Sequence, residues 1–254
     1  MKYIYLILLS LFIISCSGSE SEGKKEEEKK EYKNPVYPYK LENNYFTTDD
    51  SVNIYYKYYD IYSEKTITLI HGREEEMDVW NFLIDTFITK GFNVLTIDLR
   101  GYGNSISYSN SEDVVDYYYF TDDDYRKMPK DVLQVVDYLK NEKEFSLNYY
   151  IGINLGANII SYIEKTDYSK HFVFISPLST FSPLPIEEIS HYNNSLYYYF
   201  IYSQIDNVNE NFSDTVTKSS NVNFETYITY QNGLNILLEK AEVIEKILIF
   251  FQAK

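Results

Sequence analysis

A chain of 254 residues, 44% of them hydrophobic, suits one domain of ordinary α/β size. Its net charge of -15 at pH 7 argues against a nucleic-acid partner, since an acidic body repels phosphates. A single cysteine excludes a disulfide framework, and no phosphate loop, dinucleotide fingerprint or metal-spaced cluster occurs, so neither a cofactor nor a metal is expected.

Met1-Lys2 supplies a short positive start, and Tyr3 to Ile14 (YIYLILLSLFII) is almost wholly apolar. Such a run reads as a secretory signal and is too short to span a bilayer as a permanent helix. It ends in Ile13-Ile14-Ser15-Cys16, which resembles the lipobox of bacterial lipoproteins: an aliphatic residue, a variable one, a small one, then the cysteine to be acylated. The resemblance implies removal of residues 1–15, a diacylglyceryl thioether on Cys16, and usually a third acyl chain on its new amino group. Two or more chains anchor stably, so the implied partner is a lipid membrane and the implied location the cell envelope outside the cytoplasm. Ser17 resembles the outer-membrane class. Residues 16–34, the lipidated cysteine and a run of Ser, Gly, Glu and Lys, have little apolar surface to bury and are expected to form a disordered tether. Fully extended, it would reach roughly 60 Å. The tether's charges nearly cancel, which leaves the acidity on the globular part, residues 35–254.

Within that part, Ser51–Tyr59 (SVNIYYKYY) reads as a strand, with Tyr45–Thr48 as a partner before it. Thr66–Ile70 (TITLI) and Phe92–Ile97 (FNVLTI) are short apolar runs of the kind found in buried parallel strands. Between them Val79–Lys90 has apolar residues at helical spacing and stops at Gly91, a C-cap signal. Asp131–Lys140 (DVLQVVDYLK) reads as an amphipathic helix, Tyr149–Ile153 as a strand, Leu155–Ile163 as a helix and Phe172–Ile175 as a strand. Leu196–Tyr202 and Asn223–Tyr230 are the last strands, and Leu234–Phe251 closes as one long helix. This alternation predicts an α/β fold, a mostly parallel central sheet flanked by helices on both faces. The 29 tyrosines, with abundant Ile, Asn and Lys, fit an AT-rich gene better than an aromatic glycan-binding surface.

The loops after these strands narrow the reading. Leu69-Ile70-His71-Gly72 ends one buried strand. Asp98-Leu99-Arg100-Gly101-Tyr102-Gly103-Asn104-Ser105 follows the next, and Gly152-Ile153-Asn154-Leu155-Gly156 lies at a strand-to-helix turn. In this order they resemble the α/β-hydrolase superfamily, particularly its serine esterase and peptidase branch, over about Tyr45 to Phe251. The resemblance implies the α/β-hydrolase fold, with Asn154 at the nucleophile elbow, where the family has Gly-x-Ser-x-Gly. It implies Asp206 as the acid after a late strand and Asn232 at the place of the catalytic histidine. A carboxamide nitrogen is conjugated and cannot be deprotonated by an imidazole, so Asn154 cannot accept an acyl group. Asn232 has no titratable group, and the three histidines, His71, His171 and His191, are read as ordinary. No catalytic residue is therefore expected to be intact.

The oxyanion-hole-like positions are Gly72, Arg73 and Leu155. Glu74, Glu75 and Glu76 follow them; near an oxyanion their charges would be harmful, and they are expected to face water at the start of the next helix. Asp98 is expected to hold the Arg100 loop. Ser176–Ser195 is too short for the large cap many relatives insert there, which implies a small or absent cap and an open crevice. Ser105–Asp124 is read as irregular, overhanging the site or simply loop. Three functions remain open: a binding or interaction protein holding a small ester, a peptide or an envelope protein in the crevice; a hydrolase using a non-standard site, with Asp206 or Asp98 activating water; and a structural surface lipoprotein.

Overall fold

A computed structural model describes residues 38–163, 168–178, 181–186, 196–203, 206, 222–227 and 233–252. The N-terminal run, Cys16, the tether, His191 and Asn232 lie outside the described residues.

The chain enters as an antiparallel pair, β1 (Lys40–Thr47) and β2 (Val52–Asp60). The turn between them closes as the Thr48 hydroxyl accepts the Val52 N–H at 3.0 Å. Buried and half-buried residues alternate along most of β2, as expected of a strand with one face on a core. β3 (Lys65–Ile70) and β4 (Asn93–Ile97) are buried almost throughout, which their continuous Thr, Ile, Leu and Val runs permit. A two-residue strand, β5 (Ser107–Tyr108), pairs with β2. β6 (Leu147–Ile153), β7 (Ser169–Ile175), β8 (Tyr197–Ser203) and β9 (Val222–Tyr227) complete the sheet. Its order is β1-β2-β4-β3-β6-β7-β8-β9, with β5 beside β2. Pairing is parallel from β4 through β9 and antiparallel at β1, β2 and β5. The expected mostly parallel sheet is thus observed.

Helices cover both faces. α2 (Asp122–Lys143) and α3 (Leu155–Ser161) join a cluster that includes Val132, Val135, Val136, Leu139, Tyr150 and Phe174. On the other face α1 (Asn81–Thr89), α4 (Leu234–Glu239) and α5 (Ala241–Phe250) pack with Ile67, Ile151 and Ile201. Among the described residues no helix is long and apolar enough to cross a membrane.

Two helical expectations are corrected. α2 starts at Asp122, not Asp131. Its apolar stripe already runs through Tyr125, Met128 and Val132, the Thr121 N–H donates to Asp124 Oδ2 at 2.9 Å, and three aspartates occupy the first turn, where they oppose the helix dipole. These terms outweigh Pro129, which lies inside the helix and removes one backbone bond. Much of Ser105–Asp124 is consequently ordered structure, including β5 and a 3₁₀ turn at Tyr117–Tyr119. The C-terminal helix is two helices, because Lys240 takes an extended conformation (φ -126°, ψ 82°). In one continuous helix Lys240 would share a stripe with the buried Ile236, Val243 and Ile247; the break falls at this residue, which is left half-buried.

Candidate functional site

The carboxyl ends of β3, β4 and β6 bring the three motif loops together. The loop after β4 is scaffold. Asp98 accepts hydrogen bonds from the Met77 N–H at 2.8 Å and the Asn104 N–H at 2.9 Å. Gly103 is required there, since a Cβ would lie 2.4 Å from the Asp98 carboxylate. Asp98 therefore holds the loop, while the buried Arg100 guanidinium is held by two other carboxylates: Asp131 at 2.8 Å and Asp50 at 2.7 Å. Burial raises the Asp131 pKa against the pull of Arg100, whereas the same guanidinium keeps the more exposed Asp50 well below the ordinary carboxylate range. Ser105 ties the loop to β2, donating to the Asp98 carbonyl at 2.7 Å and accepting the Tyr55 N–H at 2.8 Å.

His71, after β3, is fully buried. Its Nε2 accepts the Leu99 N–H at 3.0 Å, and its Nδ1 lies 2.7 Å from the Gly72 carbonyl. This assigns a neutral ring protonated on Nδ1, a structural link between the β3 and β4 loops.

Asn154 sits at the tight turn from β6 into α3, with φ 48° and ψ -115°, a sparsely populated conformation for any side-chain-bearing residue. The flanking glycines make the turn possible. A Cβ on Gly152 would lie 2.4 Å from the Gly156 carbonyl oxygen, and one on Gly156 2.4 Å from that of Ile70. The carboxamide of Asn154 is flanked by two further glycines: a Cβ on Gly72 would be 3.2 Å from its Nδ2, and one on Gly233 2.7 Å away. Leu155 is buried at the first position of α3, so its N–H belongs to the helix's free first turn.

Glu75 departs from expectation. Glu74 and Glu76 face water, but Glu75 folds back and accepts the Gly72 N–H on Oε2 at 2.7 Å. The left-handed backbone of Glu74 (φ 61°) reverses the chain and makes this return possible. Burial raises the Glu75 pKa, while the Gly72 N–H works in the opposite direction. Arg73 points outward, its Nε 3.9 Å from Glu74.

On the other side of Asn154, Asp206 accepts hydrogen bonds from the Ser203 N–H at 2.6 Å and the Ser176 hydroxyl at 2.7 Å. Ser176, buried at the end of β7 with φ 46°, in turn accepts the Gly233 N–H at 2.8 Å. This relay ties the ends of β7 and β8 to the start of α4, immediately beyond Asn232. Ser176 was not singled out in the sequence, since a serine at a strand end carries no distinguishing signal; Glu75 was named there only among three glutamates expected to face water. Only residues 176–196 join β7 to β8, a connection too short to hold a large cap. A groove of ≈ 510 Å³ runs between α2 and residues 182–185, but it contains none of the motif residues.

Residues 65–200 match the family profile of the alpha/beta hydrolase fold. A non-heme chloroperoxidase from Burkholderia pyrrocinia is 35% identical over 73 residues, 29% of this chain and 26% of that protein. A bifunctional esterase/perhydrolase from Acinetobacter calcoaceticus is 28% identical over 121 residues, 48% of this chain and 39% of that protein. The chain thus matches well under half the length of either relative. Solved structures agree over more of it. An esterase from Pyrococcus furiosus superposes with a TM-score of 0.67 at 17% identity, covering 84% of this chain and 91% of that one. A bromoperoxidase from Bacillus anthracis gives 0.64 at 14%, covering 84% and 100%. At these identities the likeness is one of fold.

Proposed function

The chain belongs to the alpha/beta hydrolase fold family, and on that premise we propose that it is a lipid-anchored member that has lost acyl-transfer chemistry and acts as a binding or interaction protein of the cell envelope. The observation that carries this reading is Asn154 on the strained turn between β6 and α3. That turn lifts a side chain toward the crevice, and the side chain lifted is an amide with no nucleophilic electron pair to offer. Asn232, immediately before Gly233, offers no base. Losing a triad nucleophile or base costs on the order of a million-fold in rate, so turnover by the triad route is not expected. The neutral carboxamide of Asn154 can still donate and accept hydrogen bonds at the carboxyl ends of the strands, where open α/β sheets bind ligands. A small ester, a peptide or a segment of an envelope protein fits that chemistry. The anchor is supported by the apolar run ending in Ser15-Cys16 and by the tether-like composition of residues 17–34.

A fluorophosphonate probe, which reacts with activated serines, is expected to leave the protein unlabelled beside a labelled intact serine esterase. Labelling, or ester turnover comparable to that esterase, overturns the reading. The double change Asn154→Ser with Asn232→His is expected to raise hydrolysis of a chromogenic acetate above the wild-type rate. A folded but inert double variant would show that at least one of the two positions is misassigned.

A further inference from the structure

Four of the twelve large apolar side chains exposed among the described residues, Ile106, Val114, Tyr118 and Tyr119, lie in one strap between the β4 loop and α2. Three rings are stacked there. Tyr117 lies 4.3 Å from Tyr102 at an interplanar angle of 10° and 4.3 Å from Tyr118 at 27°. Two near-parallel neighbours at that spacing must occupy opposite faces of Tyr117, so the stack runs outward from the buried Tyr102 to Tyr118. Tyr118 is 77% exposed, and with one face against Tyr117 its other face is open. The turn that presents it is capped, as Asp116 Oδ1 accepts the Tyr118 N–H at 3.0 Å.

The charge of this strap has one sign. From Ser111 to Asp124 the chain has six carboxylates and no lysine or arginine. Arg126 engages Asp122 and Asp123, and Asp124 closes the α2 cap. Among the described residues no cation pairs with Glu112, Asp113 or Asp116. Glu74 and Asp116 lie near enough to raise the Tyr117 pKa, after the larger effect of the Tyr118 hydroxyl. Arg73, the nearby cation on the β3 loop, lies toward Glu74. The ammonium groups that do lie over rings, those of Lys65, Lys140 and Lys246, cover Phe92, Tyr168 and Tyr227 instead.

We propose that the open face of Tyr118 docks an arginine side chain from a basic segment of a partner protein. A ring face is itself negative, and a guanidinium is flat, so it extends the stack by one layer while its edge N–H groups stay free for carboxylates. An ammonium is a compact point charge without that planar fit, and a sugar brings no charge to match the strap. The net charge of -15 draws a basic segment in at longer range. The inference uses neither Asn154 nor Asn232, so it stands or falls separately from the loss of the triad.

The full-length chain is titrated with the peptide acetyl-Gly-Arg-Gly-Arg-Gly-amide, following the backbone amide resonances of Tyr117, Tyr118 and Tyr119. Peptides with lysine or the uncharged citrulline in place of arginine are compared at matched ionic strength, and cellobiose serves as the probe for a glycan platform. Saturable shifts are expected with the arginine peptide, weaker binding with lysine, and no saturation with citrulline or cellobiose. Tyr118→Leu removes the ring face from an exposed site and is expected to weaken the arginine peptide by about fivefold. Tyr118→Phe keeps the face and is expected to keep the affinity. Tyr62→Leu, at an exposed tyrosine before β3 and outside the stack, is expected to change nothing. No saturation with the arginine peptide, equal binding of the lysine or citrulline peptide, saturation by cellobiose, or full affinity in the Tyr118→Leu variant overturns the proposal.

Discussion

At the scale of single residues, polar groups in this protein are decided by whom they face after folding. His71 carries the family-like His-Gly motif, yet both ring nitrogens are committed to backbone partners and burial pushes its pKa down to about 4, against 6.5 for a free imidazole. The linkage has a definite sign. Above pH 6.5 the ring is neutral in both states, and its stabilisation is fully present. As pH falls from 6.5 toward 4 the unfolded chain takes up the proton first, and about 3 kcal/mol of stability is lost. Denaturant unfolding at pH 7 and pH 4.5 should therefore show a smaller loss in His71→Gln than in the wild type; an equal loss would show that His71 does not titrate this way. Asn154 was readable from its place between two glycines. The inward turn of Glu75 was not, because it depends on the left-handed backbone of Glu74, which no pattern of residue types announces.

At the scale of elements, the strands were legible because a buried parallel strand must be a short apolar run, and each such run here sits before a glycine-bearing or charged loop. Boundaries were less so. The start of α2 depended on the Thr121–Asp124 cap outweighing Pro129, and the break at Lys240 depended on which face of the helix met the core. The joint between β3 and α3 is tight. A methyl group at Gly156 would meet the backbone oxygens of Ile70 at 2.4 Å and His71 at 2.5 Å. Backbone in two packed elements gives little, so overpacking should exceed the roughly 1 kcal/mol gained in helix propensity. Gly156→Ala is expected to lower stability by about 2 kcal/mol, read as a fall in the denaturant midpoint. A midpoint at or above the wild type's would mean that α3 can shift off β3 without loss.

At the scale of the whole molecule, an acidic body and an N-terminal apolar run ending at a cysteine differ in composition, and the proposed reading gives them different tasks. A body of net charge -15 is repelled by anionic headgroups, so on the proposed reading attachment to a membrane would fall to acyl chains on Cys16. Expressed in a bacterial host, the wild type is expected in the membrane fraction, incorporating a palmitate analogue. Cys16→Ser should abolish that labelling and release the protein from the membrane pellet. Labelling that survives the change would refute lipidation at Cys16.

Sequence alone determined the alternation of strands and helices, the order of the three loops and the residue types that stand at their tips, because periodicity and glycine spacing are local properties of a chain. Tertiary structure decided what those tips do. It joined Asp206, Ser176 and Gly233 from three separate loops, gave Arg100 its two carboxylates from distant segments, and turned Glu75 back onto the Gly72 N–H. Such pairings follow from the packing of elements far apart in the chain and from backbone angles at single turn residues, and neither is written in the spacing of apolar side chains.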